Sequence, residues 1–327
     1  GRVSKQVRFT YALTFGKLGT PQRYVNILGN VADPVGLDSL YYRLNGGTPV
    51  HLSWGPNGRR LQNQGDFNID IGYDALQQGA NTVVLTAKNP FGESASTTVT
   101  VRDSSGAVWP LPHTVTWAST KSMTDSVQIT DGKWALSSGR IRVVERGYDR
   151  VLAFGDTTWQ DYVMTARLSV SGFDSSLLAY SSPSNGPSIA FLMRWKGHTT
   201  NPIPAKQPLE GYLPLGGYAA LSWPTVDNQK WELYGDDLRL KESSATPLLQ
   251  FDTMYVLKMQ AMTVPGQGAF YQFKVWKASQ PEPTAWLLST QENMSGPQYG
   301  SALIVAHHVS ATIDDVVFTP RPYDNVP

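Results

Sequence analysis

Residues 255–276 read Tyr-Val-Leu-Lys-Met-Gln-Ala-Met-Thr-Val-Pro-Gly-Gln-Gly-Ala-Phe-Tyr-Gln-Phe-Lys-Val-Trp. Apolar and polar side chains alternate on both sides of the Pro-Gly-Gln-Gly turn, the two-residue period of a strand buried on one face. The alternation puts Leu257 and Met259, then Tyr271, Phe273 and Val275, on a core face. Lys258 and Gln260, then Gln272, Lys274 and Trp276, fall on the opposite face. Because the glycines at 266 and 268 lead into a strand rather than a helix, they close a hairpin and do not cradle a phosphate.

Similar runs between turn residues recur outward from this hairpin: 134–136, 141–145, 150–154, 162–170, 188–195, 218–223, 231–234, 286–290, 302–306 and 311–318. About a dozen strands are too many for one flat sheet, and two stacked curved sheets are the compact answer. Residues 1–103 carry a smaller series at 24–30, 40–44, 65–71, 81–87 and 97–101, with turns at Asn45-Gly-Gly47 and Asn89-Pro-Phe-Gly92. Of the 10 tryptophans only Trp54 precedes residue 109, so the two stretches build different cores. Helix is nearly missing, limited to one turn around Asp74–Gln78. The expectation is an all-β chain: a small sandwich over 1–103, a polar link at Asp103-Ser-Ser-Gly106, a larger sandwich over 107–320 and a C-terminal tail over 321–327.

Two resemblances follow from these residues. The opening VNILGNVADPVGLDSLYYRLNGG, the strand GDFNIDI and the close LQQGANTVVLTAKNPFGESASTTVTV resemble the bacterial immunoglobulin-like or cadherin-like modules of exported proteins. Farther on, the strand from Tyr162, the central GPSIAFLMRW, the paired strands across Tyr234-Gly-Asp-Asp237, the hairpin above and the final ATIDDVVFTP resemble the concanavalin A-like, laminin-G-like jelly rolls over roughly residues 108–320. That superfamily includes lectins, carbohydrate-binding modules, glycoside hydrolases and polysaccharide lyases, so the resemblance implies a fold more specifically than an activity.

Composition excludes several classes. With 27 basic against 26 acidic residues the chain has no field to hold a polyanion, and no nucleic-acid partner is expected. No apolar run approaches the roughly 20 residues of a membrane span. Cysteine is absent, removing disulfides and thiolate chemistry together. Among the five histidines no pair has metal-ligand spacing; His307 and His308 are expected to diverge, one inward and one outward. A hydrolase needs two carboxylates flanking one bond, yet no Glu-x-Asp spacing is present, and the adjacent pairs Asp236-Asp237 and Asp314-Asp315 read as turn or metal residues.

Saccharide recognition asks for flat aromatics to stack on sugar rings and planar polar groups to read hydroxyls. The long loop from Gly197 to Leu215, stiffened by four prolines, joins two central strands and reads as functional. Around it lie Arg194, His198, Tyr212, Tyr218 and Trp223, with Trp195 assigned to the core; Gln272, Lys274 and Trp276 complete the ligand candidates from the polar face of the hairpin. Should the chain be an enzyme, Arg194, His198 and Tyr218 are the catalytic candidates of a polysaccharide lyase, ahead of a glycoside hydrolase, although the Arg-x-Glu-x-Arg and Gln-x-His strands of such lyases are missing. The jelly-roll resemblance also implies a structural Ca²⁺ near the last strand, with Asp314 or Asp315 as the carboxylate. The leading expectation is a lectin-like protein binding a poly- or oligosaccharide outside the cell or at its surface, with no signal peptide visible. Lyase, hydrolase and a structural or adhesive module with a cell-surface protein partner stand as alternatives.

Overall fold

The computed structural model describes residues 6–33, 35–179, 186–225 and 227–321. Of the expected tail, everything past Arg321 lies outside the described residues. The chain is all-β, and its strands form two face-to-face sheet pairs, each enclosing its own hydrophobic cluster.

In the small sandwich, Tyr24–Ala32 is flanked by Gln6–Phe9 and Asp66–Gly72. A five-stranded sheet ordered Thr14–Phe15, Ser94–Asp103, Gly79–Lys88, Ser39–Leu44 and Val50–His51 faces it. Val25, Ile27, Phe67 and Ile69 of one sheet meet Leu40, Val83, Leu85 and Val101 of the other. These are the apolar members of the alternations read from the sequence, which is why the pairing is determined: a one-residue slip would turn each set into solvent.

The large sandwich stacks a seven-stranded on an eight-stranded sheet. The first runs Gln128–Asp131, Arg150–Phe154, Ser301–His307, Ser188–Trp195, Tyr218–Thr225, Asn228–Tyr234, Leu240–Ser244. The second runs Trp134–Ser137, Arg140–Val143, Val309–Pro320, Tyr162–Phe173, Tyr255–Val264, Gly268–Lys277, Leu288–Gln291, with His113–Val115 paired to Val309–Pro320. Between them lie Phe154, Ile189, Phe191, Leu221 and Ile304 against Met164, Leu257, Met259, Phe273 and Ile313. The 255–276 hairpin pairs in the register its alternation demands, with Met259 opposite Phe273 and Gln260 opposite Gln272.

One strand departs from simple alternation. In Ser188–Trp195 the pairing with Ser301–His307 runs smoothly to Met193, skips Arg194 and resumes at Trp195, while Arg194 takes a φ of 58°. A bulge of this kind reverses which side the following residue faces. Trp195, expected on the inner face with Phe191 and Met193, instead joins Ala190 and Leu192 on the outer face, under the long loop. Arg194 turns the other way, into the end of the sandwich.

The long loop also bolts the two sandwiches together. Gln207 pairs through its backbone carbonyl with Ser53 N (2.8 Å) and through its side chain with both backbone groups of Asp70. Leu209 N donates to Asp70 Oδ2, and Glu210 accepts from Asn57. Beneath it, the Arg60 guanidinium bridges Asp70 (2.9 Å) and Asp131 (2.6 Å), all three side chains essentially excluded from solvent. Burial alone would lower the Arg60 pKa, but the two carboxylates more than reverse that and hold the guanidinium charged.

Candidate functional site

On the outer face of the seven-stranded sheet the strand register lays side chains in rows. His307, Ser188 and Ser222 form one row; Val305, Ala190, Ala220 and Glu232 the next; Leu303, Leu192, Tyr218 and Tyr234 the third. The middle of this field is small: Ser188, Ala190, Ala220 and Ser222. Larger groups stand around it, and a cavity of about 430 Å³ results, within the ~300–1,000 Å³ usual for small-molecule sites. Tyr148, Asp149 and His307 wall one end, Glu232, Tyr234, Leu238 and Leu240 the other, and Tyr212, Leu215 and Tyr218 the side under the loop. The strands bearing His307 and Glu232 are three steps apart, or ~14 Å at the usual spacing, so the two groups face each other across the opening.

At the first end, Asp149 stands just before the Arg150–Phe154 strand with a φ of 34°. Its Oδ1 meets His307 Nδ1 at 2.8 Å, and its Oδ2 accepts from the Tyr212 hydroxyl at 2.9 Å. Burial works to raise the Asp149 pKa, yet His307 and Tyr212 outweigh it and hold the carboxyl below its usual value. His307 is 5% exposed, and its Nε2 has no hydrogen-bond partner among the described residues. The Tyr148 ring packs edge-on to His307 at 5.0 Å. His308 was expected to diverge from its neighbour, but it adopts a φ of 56°, which breaks the strand alternation, and the two imidazoles lie 4.4 Å apart. Burial, then the proximity of His307, pushes the His308 pKa down to about 4.

At the other end Glu232 is 4% exposed; Ser222 Oγ donates to its Oε2 at 2.6 Å and Tyr234 is a second partner. Tyr218 bonds Ser188 and packs on Tyr234 with centroids 5.2 Å apart. Burial first, then the Asp149 carboxylate, raises the Tyr218 and Tyr212 pKa values, so both rings stay protonated phenols able to donate.

Of the ligand candidates chosen from sequence, the structure gathers only Tyr212 and Tyr218 into this cavity. Arg194 is fully buried: its Nη2 binds Asp161 Oδ1 (3.0 Å) and Thr263 Oγ1 (2.8 Å), and Nε donates to Gln160 O. The expectation that it faces a groove is overturned by the bulge. His198 is also buried, between Asp131 (3.1 Å) and Gly211 O (3.2 Å) in the seam between the sandwiches, so the trio Arg194, His198 and Tyr218 forms no common site. Trp223 sits on the inner face of its strand, packed on Phe173 and Phe251.

Gln272, Lys274 and Trp276 occupy the far side of the sandwich, on the outer face of the eight-stranded sheet. There Lys274 reaches Glu282 (2.7 Å) and lies over the Trp286 ring at 4.7 Å. At the last strand, Asp314 Oδ2 faces Arg140 (3.5 Å) and Arg167 (4.0 Å), and Trp117 donates to its backbone carbonyl. Asp314 is thus an ion-pair partner of two guanidinium groups, and Asp315 donates its backbone N–H to Asp314 Oδ1. A tighter acidic group is Asp236, Asp237 and Glu292, but Lys241 stands 3.6 Å from Asp237 and 3.5 Å from Glu292 and supplies the cation itself.

No protein-family model and no curated protein matches the sequence. Among solved structures, the carbohydrate recognition domain of Emp47p is similar at 11% identity and a TM-score of 0.42, covering 64% of this chain and 94% of that one. A protein of unknown function with a galectin-like fold from Bacillus subtilis is similar at 13% identity and a TM-score of 0.41, with the same coverage. Carbohydrate-binding modules of the β-sandwich superfamily match at 12% identity and a TM-score of 0.21 over 96% of this chain and 98% of theirs.

Sequence reading missed Tyr148, Asp149, Ser188, Glu232, Tyr234 and His307. A signal was available: Ser188, Ala190, Ala220 and Ser222 are small residues at alternate positions of two neighbouring central strands, where a covered face would carry larger side chains. Asp149 carries no such signal, because it is brought to His307 by strand pairing across a gap of more than 150 residues.

Proposed function

We propose that the chain is a saccharide-binding protein of lectin type, working outside the cell or at its surface, and that its site is the cavity on the outer face of the seven-stranded sheet. One observation carries the reading: four tyrosines, Tyr148, Tyr212, Tyr218 and Tyr234, surround a floor of small residues alongside Asp149, Ser188, Ser222 and Glu232. Rings of this kind offer apolar faces to a sugar's C–H groups, and the carboxylates and hydroxyls accept and donate to its own hydroxyls. Titrating the intact chain calorimetrically with a panel of neutral, amino and acidic oligosaccharides tests this. Saturable heat that Tyr218→Ala diminishes supports the reading; no heat with any member rejects it.

A second reading is favoured by the Tyr212–Asp149–His307 chain. Asp149 fixes the imidazole through Nδ1 and leaves Nε2 without a partner among the described residues, the arrangement by which a histidine relays a proton. On this reading the bound glycan is also cleaved. Release of reducing ends or of an unsaturated product, abolished by His307→Asn, supports it; an unchanged oligosaccharide after long incubation rejects it.

A further inference from the structure

The charge of the cavity narrows the class of sugar. Among the described residues no lysine or arginine lines it, while two carboxylates do. Asp149 is engaged by His307 and Tyr212. Glu232 differs: it is buried, its partners are the neutral hydroxyls of Ser222 and Tyr234, and among the described residues no cation pairs with it. A carboxylate removed from water is normally matched by a positive group, since its desolvation is otherwise uncompensated.

Two basic side chains beside the cavity do not fill that role. Arg59 lies over the Tyr148 ring at 5.7 Å and is matched by Glu210 at 3.6 Å. Lys230 shares the strand face of Glu232 but is exposed, outside the lining. Tyrosine faces, electron-rich at their centres, attract a cation in addition to stacking on a ring.

We propose that this cavity selects saccharides bearing a protonated amine, with Glu232 as the ammonium's counter-ion, over neutral sugars and most strongly over uronic acids. The inference rests on the saccharide-binding reading and deepens it. It also weighs against a lyase that neutralises a uronate with lysine or arginine, since among the described residues neither lines this cavity.

The test compares three oligosaccharides on the intact chain by calorimetry: a glucosamine tetramer, its fully N-acetylated counterpart, which differs in charge at the same backbone, and a galacturonate tetramer. Putrescine serves as an amine without sugar rings. The expected result is at least tenfold tighter binding of the glucosamine tetramer than of the acetylated one, with the galacturonate weakest. Rising salt should narrow that gap, because screening acts on the charged ligand alone. Glu232→Gln should bring the first two ligands within about twofold, and the salt series on the unmodified chain decides the question if that variant does not fold. Equal or tighter binding of the acetylated or uronate ligand overturns the amine selectivity and leaves the saccharide reading standing. Putrescine binding without any saccharide overturns both, as does the absence of binding by all four probes.

Discussion

The large sandwich has two outer faces, and the chain treats them differently. On the eight-stranded sheet the polar alternation of the 255–276 hairpin is consumed internally: Gln260 donates to Gln272 at 2.6 Å, and Lys258 and Lys274 converge on Glu282 at 2.8 and 2.7 Å. The segment carrying Glu282, Pro283 and Trp286 folds back over this face, and Pro283 O accepts from Lys274. On the seven-stranded sheet the corresponding positions are small, and the covering loop rests on Trp195 and Leu303 at one side without closing over Ser188, Ala220 and Ser222. A row of polar residues therefore does not mark a site when the chain supplies its own partners. A row of small residues, ringed by larger ones, does leave room for an outside molecule.

The contrast depends first on the seam that holds the loop in place. Asp131→Ala should have the largest effect, destabilising by about 3–5 kcal/mol, because Arg60 and His198 would both remain buried without their shared carboxylate. Denaturant midpoints, with limited proteolysis of the 197–217 loop, check this; a loss under 1 kcal/mol would mean the seam is not what fixes the loop. Next comes Arg194→Ala, expected to cost about 3 kcal/mol through the lost bonds to Asp161 and Thr263 while leaving saccharide affinity of the folded protein unchanged. A fall in affinity at full folding would return Arg194 to the site.

The two faces can then be set against each other directly. Tyr218→Ala should weaken saccharide binding at least tenfold, or ~1.4 kcal/mol, whereas Trp276→Ala on the opposite face should leave it unaltered. Equal losses from both would erase the distinction.

A further expected effect is a pH dependence centred on His308. Its folded pKa of about 4 lies below the ordinary value of 6.5, so between these the unfolded chain binds more protons than the folded one. The stability contributed by the neutral imidazole is thus present above pH 6.5 and is lost as pH falls toward 4. His308→Asn, which tolerates the same left-handed backbone, should flatten that part of the stability profile relative to the unmodified protein. Parallel profiles would show that His308 does not titrate in this window.

Much of the architecture was legible because its cause is local. Alternation in stretches such as 24–30, 162–170 and 255–276 assigns each residue to a face, and the turns between them leave antiparallel pairing as the only economical outcome. The edge strands Gln128–Asp131 and Leu240–Ser244 were not legible: the first is all but fully buried and the second almost fully exposed, so neither alternates. At the site, Tyr212 and Tyr218 were reached through the loop and strand on which they stand. Arg194, Trp195 and Trp223 were misplaced or left undecided for a definite reason, since one bulged residue inverts a strand's facing and a tryptophan serves equally well as core or platform.

Sequence alone determined the strand content, the two separate cores and the lack of any thiol, because these depend on residue type and near-neighbour spacing. Only the tertiary structure decided which outer face stays open and which polar groups meet there. Asp149 with His307, and Glu232 with Ser222, are joined by strand order and register, which are set by the burial of the whole apolar surface rather than by any residue near the site.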